Sequence, residues 1–223
     1  MAKINIGEAL TKPIDVMKRN PGIFVPALVP AVVSLIFTAI YGAMMWNMQP
    51  VMNPMFIFGF IGLLAIYSFV MVILVLVANG AIVSIAYSEL SGRSATYVDG
   101  IKDAIARLPS LLIASVIIAI GVALGLILLI IPGLIFALLV MFTIQEIMIA
   151  GKNATNAISG SIKLVKTNFG DVLVYAIILF IVVVVVSAIL GTVPVVGSAI
   201  STMIVTPYMG ISMTYAYMQL IAR

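Results

Sequence analysis

From Met55 to about Tyr87 no side chain carries a charge, and most residues are Leu, Ile, Val, Phe or Ala. Only a bilayer accommodates such a segment as an extended surface. A hydrocarbon layer about 30 Å thick is crossed by about 20 helical residues, because a helix satisfies its own backbone polar groups where water is absent. Five further runs are similarly apolar, with Glu146 and Asp171 their only charged residues: Ile23–Trp46, Leu111–Ile131, Leu134–Ala150, Asp171–Leu190 and Ser198–Ile221. The chain is 64% apolar and 8% charged, with a mean hydropathy of +1.33, whereas soluble domains are about half apolar and a quarter charged. The expectation is an all-α integral membrane fold of six transmembrane helices, with residues 1–223 forming a single membrane domain. The Met55 run is overlong, reaching roughly 50 Å at about 1.5 Å per residue, so it should tilt, break near Gly80 or extend into water.

The charges set the topology. Lys3, Lys12, Lys18 and Arg19 precede the first run; Arg93, Lys102 and Arg107 separate the second and third; Lys152, Lys163 and Lys166 separate the fourth and fifth; Arg223 follows the sixth. Asn47 to Pro54, Pro132-Gly133 and Gly191 to Gly197 carry no charge. All cations then share one side, which the positive-inside rule makes cytoplasmic, together with both termini. An odd number of spans would destroy that separation. Pro132-Gly133 is expected to fold spans three and four into a tight hairpin, and Pro26, Pro30 and Pro207 to kink their helices. The N-terminus has no short apolar region followed by a small-residue cleavage site, so the first span is expected to be retained.

The net charge of +4 is carried by 11 Lys and Arg against 7 Asp and Glu. These cations form no dense run and border membrane segments, which points to membrane lipids as partners and away from nucleic acid. With no Cys and no His, disulfides, zinc sites and thiolate or imidazole nucleophile pairs are excluded. No catalytic residue, metal or cofactor is expected.

A repeat underlies the runs. Before spans one, three and five stand segments with apolar residues at one spacing: Ile6, Leu10, Ile14, Met17; Tyr97, Ile101, Ile105, Leu108; and Ala154, Ile158, Ile162, Val165. At about 100° per residue each set covers an arc of about 80°, the pattern of an amphipathic helix lying in the interface. Identities go further, with Ala9 on Ala157, Lys18 on Lys166, Asn20 on Asn168 and Gly22 on Gly170. Gly80 to Arg93 likewise aligns with Gly210 to Arg223, placing Ala86 on Ala216 and Tyr87 on Tyr217, and Gly151-Lys152 echoes Gly92-Arg93. Three parallel helix-span-span repeats are expected at about 1–93, 94–152 and 153–223, related by an axis along the membrane normal.

The run Ile131 to Leu173, with Ile131-Pro132-Gly133, Ala157-Ile158-Ser159, Ser161, Lys166 and Asn168-Phe169, resembles the membrane domain fused to some glycerophosphoryl diester phosphodiesterases, and related stand-alone six-span proteins of bacteria and archaea. Gly80 to Ile101 and Tyr217 to Arg223 resemble two further landmarks of that family. Its usual acidic residue before the third interfacial helix is replaced by Gly151-Lys152-Asn153. The resemblance implies residence in a prokaryotic plasma membrane without hydrolysis, since no phosphodiesterase catalytic domain is present.

Candidate functional residues are few. Glu146, beside Gln145, is the only acidic residue with apolar sequence on both sides, and a charge at mid-bilayer costs about 2.5 to 3.5 kcal/mol. It is a possible intramembrane polar site, or a carboxylate snorkelling to the cytoplasmic interface. Asn79, Ser84, Thr143, Thr206, Ser212 and Thr214 either line a polar path or bond to backbone and neighbouring helices. Gly121 and Gly125 have the spacing for close helix packing, internal or between copies. Tyr41 and Trp46 fit an outer aromatic belt, and the Asn153 acceptor motif lies on the wrong side for glycosylation. Lys12, Lys18, Arg19, Lys102, Arg107, Lys163 and Lys166 are candidate lipid-headgroup contacts.

The expected function is a non-enzymatic multi-pass protein that binds or organises lipid at the cytoplasmic leaflet, with homo-oligomers open. The alternative is a small-solute or lipid transporter or channel with a pathway between the three units. Ion-coupled carriers usually need an ionisable group deep in a span, and almost none is present.

Overall fold

The computed structural model describes residues 3–47, 54–192 and 197–222, with side chains undescribed at 44–47, 54–57 and 198. Arg223, the Trp46 side chain and most of the two expected outer connections, 48–53 and 193–196, lie outside the described residues. Among the described residues the chain is all helical. In order the helices are α1 (Ile6–Arg19), α2 (Val25–Asn47), α3 (Pro54–Leu90), α4 (Tyr97–Ala106), α5 (Leu108–Leu128), α6 (Ile130–Leu139), α7 (Thr143–Met148), α8 (Ala154–Thr167), α9 (Phe169–Gly191) and α10 (Gly197–Ile221).

Five stretches are long and apolar enough to cross a membrane: Pro21–Ala43, Phe58–Leu90, Leu108–Leu128, Ile130–Met148 and Phe169–Gly191. Their outer surfaces are apolar. Ile127 is 80% exposed and Phe58 74% exposed, an arrangement that is stable in lipid and unfavourable in water. The protein is a multi-pass membrane protein. α10 has the length of a span, but its Ser, Thr and Tyr content makes it the most polar of the long helices.

The short helices begin on polar caps. Asn5 accepts the Glu8 N–H, Asn153 accepts the Asn156 N–H, and Thr96 with Asp99 forms a capping box. Asn153 is therefore occupied in starting α8. Gly92 and Gly151 follow α3 and α7 in the left-handed region, at φ 75° and 69°, which favours glycine as a helix stop.

One of the alternatives expected for the overlong run is excluded, and two expectations about the later spans change. α3 passes through Gly80 unbroken: Gly80 is a place of close approach, since a Cβ there would lie 3.0 Å from that of Ala104. The hairpin between spans three and four turns at Leu129, which is extended at φ −163° and ψ 143°. Pro132 and Gly133 sit within α6, in its first turn, where proline gives up an N–H that has no intrahelical partner anyway. The fourth run is divided at Val140–Phe142 into α6 and α7.

Packing is between elements distant in sequence as well as neighbours. α4 lies against α3, α8 against α7, α6 and α5, and α1 against α10; α10 also packs on α2, α3 and α9. The α1–α10 contact is fixed by the Asn5 N–H donated to Gln219 Oε1 at 2.8 Å, the Tyr208 hydroxyl to the Leu10 carbonyl at 3.0 Å, and the Tyr215 hydroxyl to the Glu8 carboxylate. The short helices face their neighbours with small or compact residues: Ala9, Pro13 and Val16; Gly100 and Ala104; Ala154, Ala157 and Ser161 among others. In α8 the periodic residues Ala154, Ile158 and Val165 are on the buried face, whereas in α1 and α4 larger periodic residues flank it. Ile14 and Ile105 are 44% and 55% exposed.

Candidate functional site

The break between α6 and α7 leaves backbone groups without intrahelical partners, and α8 supplies them. Ser161 Oγ accepts the Phe142 N–H at 3.1 Å and donates to the Leu139 carbonyl at 2.8 Å. At the other end of α7, Arg107 Nη1 donates to the Ile147 carbonyl at 2.5 Å. The turn after α3 is closed by the Arg93 N–H on Ser88 O, five residues back. After α7 the corresponding carbonyl belongs to Ile147 and is taken by Arg107, so the Lys152 N–H reaches Glu146 O at 3.3 Å.

That turn brings two charges together. Glu146 is 4% exposed, and its Oε2 lies 2.5 Å from Lys152 Nζ, on a side chain 40% exposed. Gly160 on α8 makes room for the pair, because a Cβ there would lie 2.8 Å from Lys152 Nζ and 2.9 Å from the Glu146 carboxyl carbon. The Tyr217 hydroxyl interacts with the Glu146 carboxylate. The Phe142 and Tyr217 rings are 6.0 Å apart. Gln145 is buried, and its Oε1 has no protein partner.

A cavity of about 400 Å³ opens on the pair, lined by Glu146, Lys152, Gly160, Lys163, Leu164, Thr167, Asn168, Leu220 and Ile221. Asn168 is 6% exposed. Its Nδ2 donates to Leu164 O at 3.0 Å, while its Oδ1 has no protein partner. Two apolar cavities lie elsewhere: about 290 Å³ between α1, α9 and α10, and about 260 Å³ between α3, α5 and α7.

The other sequence candidates fall as follows. Lys18, Arg19, Lys102, Lys163 and Lys166 are exposed, and Lys12 and Arg107 are half-buried. Arg107 is committed to α7, and of the seven only Lys163 lines the large cavity. Gly121 and Gly125 pack internally: a Cβ at Gly125 would lie 2.7 Å from Gly133 Cα, and one at Gly121 2.5 Å from the Phe136 ring. Ser84 donates to Asp103 at 2.6 Å, Thr143 to Val140 O, Thr214 to Gly210 O, and Ser212 shares a 2.8 Å bond with Tyr175. These hydroxyls are used within the bundle. Tyr41 stacks with Phe37 and Phe60. Sequence reasoning missed Lys152 as the partner of Glu146 and gave no role to Ser161 or Asn168; the Gly151-Lys152 echo of Gly92-Arg93 was the available signal.

Among the described residues no group of three His, Cys, Asp or Glu is placed to hold a metal ion. Long apolar helices enclosing a polar cluster define a helical multi-pass membrane protein. The chain belongs to the family described as "Domain of unknown function (DUF7847)", whose model matches residues 56–222. No curated protein and no solved structure matches the chain. The family match carries no link to the glycerophosphoryl diester phosphodiesterase membrane domain.

Proposed function

We propose that the protein is a non-enzymatic, six-span membrane protein that binds and organises lipid at the cytoplasmic leaflet of a prokaryotic plasma membrane. α10 is its sixth span, both termini are cytoplasmic, and α1, α4 and α8 are interfacial helices of three parallel units. Two features of the packing support the units. Each short helix lies against the second span of the unit before it: α4 on α3, α8 on α6 and α7, and α1 on α10, so the order closes into a ring. The offset that puts Gly151-Lys152 on Gly92-Arg93 also puts Glu146 on Tyr87, and hence on Tyr217, whose hydroxyl interacts with the Glu146 carboxylate.

The observation that carries the function is the placement of the cations. No Lys or Arg lies within any described long helix, whereas α1, α4 and α8 present Lys18, Arg19, Lys102, Lys163 and Lys166 to the outside. Basic side chains at an anionic leaflet add about 1 kcal/mol each. The transporter alternative is less well supported, because two cavities beside the long helices, among the described residues, are lined almost wholly by apolar side chains. Native mass spectrometry of gently extracted protein tests the reading, with solute flux into proteoliposomes as its counterpart. Bound anionic lipid without flux is expected; flux with no retained lipid would overturn it.

A further inference from the structure

Building on the lipid-binding reading and on the three units, we propose that the Glu146–Lys152 cavity is a specific site for a phosphate-bearing headgroup. Lys152 and Lys163 meet the phosphate oxygens. Asn168 Oδ1 accepts a hydrogen bond from a hydroxyl or ammonium group of the same headgroup. Leu164, Leu220 and Ile221 provide an apolar wall for the start of an acyl chain.

The argument comes from comparing one place in three units. The alignment that puts Asn20 on Asn168 also puts Lys12 on Gly160, Asp15 on Lys163, Val16 on Leu164 and Arg19 on Thr167. Lys12, Asp15, Val16 and Arg19, with Glu89, Leu90 and Tyr215, line a smaller cavity of about 180 Å³ at the first unit. There two cations face two anions, and the Asn20 amide is satisfied, donating to Glu89 and to Ala95 O at 2.8 Å each and accepting the Gly22 N–H. At the second unit, Arg107 replaces Val16 and reaches Ile147 O, while Asp103 is taken by Ser84. Among the described residues only the third unit combines volume, a net positive lining and, in Asn168 Oδ1, a buried cavity-lining amide acceptor without a partner. A buried polar atom without a partner costs about 1 to 3 kcal/mol, so a ligand donor there is favourable. Gly160 removes the side chain that the first unit places at this position.

The test uses the full chain in detergent, with binding read by native mass spectrometry. A short-chain phosphatidylglycerol and soluble glycerol phosphate are titrated separately onto the unmodified protein, Lys163→Asp, Lys163→Gln and Lys3→Asp. Lys3 is exposed and outside the cavity. Lys163→Asp should weaken phosphatidylglycerol binding roughly 30-fold, two units of charge at about 1 kcal/mol each, and Lys163→Gln about fivefold. Lys3→Asp should change it less than about twofold, as its charge is remote from the cavity and screened. Equal losses from Lys163→Asp and Lys3→Asp would overturn the site and leave the lipid-binding reading standing. Binding of glycerol phosphate alone, with the same Lys163 dependence, would keep the site as one for soluble phosphate esters and remove the lipid reading. Binding of neither probe would overturn both.

Discussion

Ser161 is seated in the break that precedes Phe142, accepting its N–H at 3.1 Å while donating to the Leu139 carbonyl at 2.8 Å. Both Ser161 and Phe142 are fully buried. One hydroxyl on α8 thus satisfies the backbone on both sides of a helix interruption, which is how an interrupted span is tolerated at membrane depth. Ser161→Ala should leave a buried N–H and a buried carbonyl unsatisfied, lowering stability by about 2 kcal/mol. Thermal unfolding in detergent measures it, and an unchanged midpoint would mean that water replaces the hydroxyl.

The Glu146–Lys152 pair predicts an asymmetry. Lys152→Met leaves a buried carboxylate unpaired and should destabilise by about 1 to 3 kcal/mol, at or below the usual range for buried pairs because Lys152 is partly solvated. Adding Glu146→Gln to that variant should restore part of the loss. A double variant less stable than the single one would show that Glu146 has another essential partner.

How much of this was legible depends on what hydropathy can register. The long apolar runs marked every long helix, and the isolated position of Glu146 within apolar sequence singled it out. Its partner was marked only by the Gly151-Lys152 echo of Gly92-Arg93, because Lys152 returns to it through the left-handed turn at Gly151. Pro132-Gly133 read as the hairpin turn for its composition, yet proline is equally at home in the first turn of a helix, and the chain turns at Leu129. In α8 periodicity found the buried face through Ala154, Ile158 and Val165; in α1 and α4 it selected Ile14 and Ile105 for their size, whereas the faces that pack closely use Ala9, Gly100 and Ala104, whose small side chains let backbones approach.

The α5–α6 hairpin predicts a contrast between glycines. Gly125→Val would drive a side chain into Gly133, whose Cα would lie only 2.7 Å from the added Cβ, and overpacking of this kind costs about 1 to 3 kcal/mol. Gly62→Ala, with nothing within 4 Å, should leave the unfolding midpoint unchanged. Equal effects would mean that α5 and α6 do not meet at their glycines.

The capping box of α4 predicts a pH dependence. Asp99 accepts bonds from the Thr96 hydroxyl and N–H, and the Thr96 side chain first, then its backbone, holds the carboxyl below its ordinary value of 3.8. A depressed folded-state pKa contributes stability above the unfolded value and loses it as pH falls through the folded one. Amide protection at the start of α4 should therefore persist near neutrality and fall in acid below the ordinary carboxylate range. Asp99→Asn should flatten that response; an unflattened profile would assign it to another group.

The natural absence of cysteine makes the central topological claim directly measurable. Single cysteines placed at Lys18, Lys102, Lys166, Leu129 and Thr192 can be challenged with a membrane-impermeant maleimide on intact cells and again after permeabilisation. Leu129→Cys and Thr192→Cys should react from outside, while the other three should react only once the membrane is opened. External labelling at Lys18, Lys102 or Lys166 would contradict a bundle whose cations and short helices share the cytoplasmic face.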